Sequence, residues 1–233
     1  MKMLKQISTF VTALATIAIL IMVFADELKH DYDKLSLNRQ METKEIEPKI
    51  VISDVVAATD FDKGLKAIQS GEFKTALAQW APLAEEGHAW AQYNLGRIYS
   101  EGHSVPKNNK TALKWYTLAA DQGHAKAQSN LGVLYDLGLG ILENNETAVK
   151  LYTLAAEQGN AIAQSNLGTM YDHGNGVSTN YERAYMWYNL AAYNGDPKGA
   201  ENNKSIAKEM TPVQIAKAQE MSSRCLLSEY TDC

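Results

Sequence analysis

A strict 36-residue period constrains this chain more than any other feature. Ala91-Gln92-Tyr93-Asn94-Leu95-Gly96 returns as Ala127-Gln128-Ser129-Asn130-Leu131-Gly132, and again as Ala163-Gln164-Ser165-Asn166-Leu167-Gly168. Tyr99, Tyr135 and Tyr171 keep the same register, as do Ala112, Ala148 and Ala184, and Tyr116, Tyr152 and Tyr188. Gly87, Gly123, Gly159 and Gly195 close the successive units. A fixed period of this length means stacked supersecondary units rather than one closed core, because a single unit cannot bury both of its faces.

Within each unit the apolar positions recur at helical spacing. Ala91, Leu95 and Ile98-Tyr99 form one stripe; Ala112, Tyr116 and Ala119-Ala120 form a second. The first helix of each pair, helix A, opens at His88, His124, Asn160 or Asp196, and Pro197 stands at the favoured first helical position. Glycines mark the loop to helix B, where the backbone needs a positive φ. Small alanines allow close helix approach, while Tyr and Trp rings fill the space between units.

Leu95-Gly96-x-x-Tyr99 followed by Ala112-x-x-x-Tyr116 resembles the tetratricopeptide pattern with a loop four residues longer. The 36-residue period, the Ala-Gln-x-Asn-Leu-Gly-x-x-Tyr run and the Trp-Tyr-x-x-Ala-Ala-x-x-Gly ending resemble the Sel1-like repeat. Ser104 departs from the loop glycine in the first repeat and Leu151 from the Trp in the second. The resemblance implies an all-α fold, a right-handed α/α solenoid of 36-residue helix-turn-helix units.

The expected organisation follows. Residues 61–87 are a degenerate N-terminal hairpin, 88–123, 124–159 and 160–195 are the repeats, and 196–233 are C-terminal capping helices. Thr211-Pro212-Val213-Gln214 predicts a capped final helix. Before these, residues 1–25 read as a secretory signal, with Lys2 and Lys5 ahead of an uncharged run from Phe10 to Ala25. Cleavage after Ala25 gives a periplasmic or secreted protein; an uncleaved anchor is the alternative. Residues 26–60 read as a charged, flexible linker, whose short stretch Ile50–Ala58 suits a strand or a helix turn equally. Cys225 and Cys233 are the chain's two cysteines, and their spacing suggests one local disulfide in an oxidising compartment.

Composition narrows the functional classes. Twenty-seven acids against 22 Lys and Arg give a net charge of −5, which argues against phosphate-backbone binding. Gly138-Leu139-Gly140 and Gly174-Asn175-Gly176 repeat at one loop position and read as turns, not phosphate cradles. His88 and His124 occupy a capping position, and no histidine spacing suits a metal. Neither a catalytic constellation nor a cofactor is expected. Asn109-Lys110-Thr111, Asn145-Glu146-Thr147 and Asn203-Lys204-Ser205 have the glycosylation pattern, with helix capping the preferred reading of the first two.

Function is therefore sought where the repeats differ. The variable helix A positions are Trp90/Lys126/Ile162, Tyr93/Ser129/Ser165, Arg97/Val133/Thr169 and Glu101/Leu137/His173, which a helical projection puts on one face opposite the buried stripe. The resemblance implies that helix A lines the concave side. The expected partner-binding set is Trp90, Tyr93, Asn94, Arg97, Glu101, Lys126, Ser129, Asn130, Val133, Ser165, Asn166, Thr169 and His173, contacting a protein or peptide of unknown identity. Trp, Tyr and Arg are enriched at binding hot spots, and an exposed Trp–Tyr pair calls for a use. Family resemblance supplies two other readings. Its β-lactam-binding or hydrolysing members carry a cysteine pair in each repeat, which is missing here, and its secretory-pathway members are membrane-tethered quality-control adaptors.

Overall fold

The computed structural model describes residues 52–233; the expected signal segment 1–25 and most of the expected linker lie outside them. The described chain is helical, with no strand among the described residues. Its elements are α1 (Ile52–Gln69), α2 (Phe73–Glu85), α3 (Ala89–Glu101), α4 (Asn109–Asp121), α5 (Ala125–Asp136), α6 (Asn145–Ala156), α7 (Ala161–His173), α8 (Tyr181–Tyr193), α9 (Pro197–Ile206), a short 3₁₀ turn (Ala207–Glu209) and α10 (Pro212–Leu227). Helices α3/α4, α5/α6 and α7/α8 are the three antiparallel A/B pairs, and each B helix also packs on the A helix that follows it. This is an α/α solenoid, as the period implied.

Helix α1 begins at Ile52, so residues 52–60 are helical where the sequence suggested a linker. The Ile50–Ala58 stretch, open between strand and helix turn, is helix from Ile52 onward. With α2 it forms the first hairpin of the described residues. The Trp80 indole is buried, lies 5.7 Å from the Phe61 ring and donates its N–H to the Phe61 carbonyl at 3.1 Å.

From α3 to α10, each helix start is fixed by a side chain that accepts an otherwise unpaired backbone N–H. His88 and His124 accept through Nδ1 from Ala91 and Ala127 at 3.2 Å, and Asn160 from Ala163 at 2.9 Å. Asp196 accepts from Lys198. Helix B is capped by Asn108, Asn144 and Asn180, accepting from Thr111, Thr147 and Arg183. The caps are thus not the sequon residues Asn109 and Asn145, which stand one position later, inside the first turn. Each cap contributes about 1 kcal/mol. Thr211 and Gln214 form the reciprocal capping box expected for the last helix.

The Leu-Gly dipeptide of helix A has a packing cause. A Cβ on Gly132 would stand 2.7 Å from the Tyr152 ring, and Gly96 and Gly168 face Tyr116 and Tyr188 in the same way. Glycine in mid-helix costs about 1 kcal/mol against alanine. Here it lets a tyrosine of helix B lie flat on the backbone of helix A.

A buried carboxamide ladder ties the repeats together. Gln92, Gln128 and Gln164 donate to the carbonyls of Ala84, Ala120 and Ala156 in the preceding B helix, at 2.9, 3.3 and 3.0 Å. Their oxygens accept from Gln122, Gln158 and Asn194 at the end of their own B helix, at 2.7–2.8 Å. Each amide therefore bridges three helices. Burying these groups is tolerable because both ends are paired; leaving one open would cost about 1–3 kcal/mol.

After α8 the pattern decays. Helix α9 occupies the helix A position, and α10 returns to pack on α8. Cys225, buried on α10, is bonded to Cys233 and closes the chain end into a loop.

Candidate functional site

The expected surface divides into exposed and buried parts. Trp90 is 49% exposed, and its neighbours in the register, Lys126 and Ile162, are exposed too. Tyr93 is only half-buried surface: its ring stacks on His124 at 4.7 Å and lies 6.1 Å from Tyr116. Ser129 and Ser165, at the same position in the next repeats, are buried, as is Asn94. This corrects the single-face expectation. A helical projection treats helix A as isolated, whereas this position faces the N-terminus of the next helix A.

What remains accessible is a row along the starts of the A helices. The Trp90 ring meets His124 edge-on at 4.3 Å, and Lys126 Nζ stands 5.7 Å from its centroid. Trp90, His124 and Lys126 line an open groove of about 510 Å³ that reaches Gln158 and Asn160. Burial holds the His124 imidazole below its usual range, and Lys126 adds to the effect. Its Nδ1 accepts the Ala127 N–H, so the neutral ring is the form that caps the helix.

A second cluster lies at the other end of helix A. Arg97 Nε bonds Glu101 at 3.3 Å, and Glu101 also meets His103 at 2.8 Å. Glu101, Asn130 and Val133 line a small pocket of about 210 Å³ together with Ser100 and Tyr116. Asn130 donates to the Tyr116 hydroxyl, itself 3.1 Å from Ser100. Burial pushes Tyr116 and Tyr188 up to about 12, and raises Tyr152 as well. These phenols stay protonated and act as fixed hydrogen-bonding groups. The Tyr152 hydroxyl instead donates to Asp136 at 3.2 Å. Thr169 and His173 form a separate pair, the His173 ring lying 3.1 Å from the Thr169 carbonyl.

Asp172 meets the Tyr188 hydroxyl at 3.4 Å and not its neighbour His173. Among the described residues no group of three or more His, Cys, Asp or Glu could hold a metal, and no helix is long and apolar enough to cross a membrane. Sequence reasoning passed over a third surface, the open groove of about 570 Å³ around Trp115, Leu118 and Gln122. The only signal for it was Trp115, which returns as Trp187, with Gln122 at the end of helix B.

Comparison with known proteins agrees with this architecture. The Sel1 repeat family model matches residues 91–124, 125–160 and 161–196. The crystal structure of a Sel1 repeat protein from Oxalobacter formigenes is similar at 36% identity, with a TM-score of 0.58 over 64% of this chain and 57% of that one. A second similar structure is c5321, a protective antigen present in uropathogenic Escherichia coli strains and displaying an SLR fold. It has 26% identity and a TM-score of 0.49, over 75% of this chain and 47% of that one. This chain thus spans less than two thirds of the length of either. No curated protein matches it.

Proposed function

Residues 91–196 are three Sel1 repeats, so this is a Sel1 repeat protein, and on that premise we propose that it is a non-catalytic adaptor whose helix A face holds a protein or peptide partner. The observation that carries the reading is the exposed row Trp90, Lys126 and Ile162, one residue from each repeat at a single register position. Stacking residues stay constant along the solenoid while this row changes from aromatic to basic to aliphatic. That is the pattern of a recognition surface. Arg97, Glu101, Asn130 and Val133 extend it on the same helices, with Thr169 and His173 beyond them.

Trp90 is the anchor, since an exposed indole gains most from being covered. The face is the concave side of the solenoid, and the adaptor is exported: its one disulfide suits an oxidising compartment. The test is a capture experiment from envelope extract of the source organism. Native protein is compared with a Trp90→Ala, Arg97→Ala, Lys126→Glu variant, Tyr93 being kept because it packs on His124. A partner held by the native protein and released by the folded variant supports the reading. Identical capture by both removes it.

A further inference from the structure

The three repeats carry the same leucine at the same place on helix B, and it meets three different fates. Leu118 is 38% exposed and Leu154 is 49% exposed, while Leu190 is fully buried. The third repeat alone is covered by α10 and the disulfide-closed tail, which carries Tyr230. Its ring packs on the cluster that includes Ala156, Trp187 and Leu190, and it lies over the turn glycine, 3.5 Å from where a Cβ on Gly159 would stand. Its hydroxyl is 2.8 Å from Asn194 Nδ2, the carboxamide that closes the ladder on Gln164. The tail thus shows what this groove accepts.

Two repeats earlier the register-equivalent groove stands open. It lies between α2 and α4 over Gly87, where an added Cβ would meet nothing within 4 Å. Ala84, Trp115, Leu118 and Gln122 replace Ala156, Trp187, Leu190 and Asn194. Gln122 holds its carboxamide as Asn194 does, donating Nε2 to Gln92 at 2.7 Å and leaving its oxygen free to accept a phenol. The middle repeat lacks the indole floor, having Leu151 in place of Trp.

The rims differ in charge. Around the occupied groove the positions read Glu157, Gln158 and Tyr193; around the open one they read Glu85, Glu86 and Asp121, all exposed, against the single base Lys114. The residues flanking Tyr230 include Glu229 and Asp232, which suit the first rim and not the second. We infer that the open groove over Gly87 binds a tyrosine side chain from a segment of a partner protein flanked by Lys or Arg. Its floor takes the ring, Gln122 takes the hydroxyl, and the acid rim selects the flanks. This site is separate from the Trp90 row and does not depend on it.

The test is an amide chemical-shift titration of the full chain with four synthetic peptides. One is acetyl-Lys-Ser-Tyr-Lys-amide; the second has alanine for tyrosine; the third has glutamate for both lysines; the fourth is the chain's own sequence 226–232. The expected result is saturable shifts at Gly87, Leu118 and Gln122 with the first peptide. Binding should weaken at least tenfold with alanine and several-fold with glutamate or the tail sequence. Leu118→Asp, at a half-exposed helix position, should abolish the shifts, while Leu154→Asp should leave them. A Tyr230→Ala chain should gain a second set at Gly159 and Asn194. Equal binding of the alanine peptide, or shifts confined to Trp90 and Lys126, overturns the assignment. Preference for the tail sequence overturns the partner in favour of a second copy of this chain.

Discussion

The first and third repeats share one register, yet the third is finished inside and the first is not. In the third, α10 and the tail pack on the cluster that holds Trp187 and Leu190, and the carboxamide ladder continues from Gln164 through Asn194 to the Tyr230 hydroxyl. In the first, the same ladder stops at Gln122, and Leu118 keeps a third of its surface in water. Equivalent residues therefore do different work according to what lies over them. Position in a repeat fixes backbone and stacking, while the covering segment decides whether a leucine is core or contact surface.

The largest contrast should appear on truncating those leucines. Leu190→Ala is expected to cost about 2–5 kcal/mol, the range for a fully buried leucine, and Leu118→Ala less than about 1 kcal/mol. Urea unfolding midpoints of both variants check this, and similar losses at both sites would erase the distinction.

Opening the Cys225–Cys233 bond comes next. Closing so short a loop stabilises by about 2–3 kcal/mol in the chain-entropy view. A Cys225→Ala, Cys233→Ala chain should lose that amount. Amide hydrogen exchange should speed up at Asn194 and Leu190 but stay unchanged around Gln122. Uniform loss of protection would mean that the tail braces the whole solenoid.

The loops offer a reciprocal exchange. Ser104 sits at φ 58°, where the third repeat has Gly176 at 69°. Ser104→Gly should stabilise by a few tenths to about 1 kcal/mol, since a left-handed backbone strains any side chain. Gly176→Ser should destabilise by about 2 kcal/mol or more, because its Cβ would meet the Asn145 backbone at about 2.5 Å as well. Thermal melts of the pair decide it.

The smallest effect concerns the caps. The N-terminal repeats use His88 and His124 where the third uses Asn160. Burial keeps His124 neutral in the folded chain below the pH at which the unfolded chain takes up its proton, about 6.5. Its contribution is therefore intact above that pH and declines as pH falls through it, levelling off once the folded-state pKa is passed. His124→Asn retains a cap and should reduce the drop in melting temperature between pH 7 and pH 5. An unchanged drop would move the acid sensitivity elsewhere.

Much of this architecture is legible in the letters, and the failures have identifiable causes. Period, helix pairs and the helix A caps follow from residues that act within their own unit. The helix B cap was misplaced by one because Asn108-Asn109 and Asn144-Asn145 are doublets; Asn180, followed by Tyr181, fixes the register. Ser129 and Ser165 looked exposed because a single helix cannot report what its neighbour covers. Tyr230 belongs to no repeat, so no periodic signal could connect it with Asn194, 36 residues away in sequence and hydrogen-bonded in space.

The carboxamide ladder also sets how such a molecule can change length. Every rung joins one unit to the one before it through atoms that recur at the same interval. A duplicated segment of whole units, spliced at a turn glycine, would find its donors and acceptors already in place. One of any other length would strand buried amides on both sides of the splice. Growth and shrinkage are therefore quantised, and the tail imposes a rule on the final unit: it must present the Trp and Asn that Tyr230 docks upon.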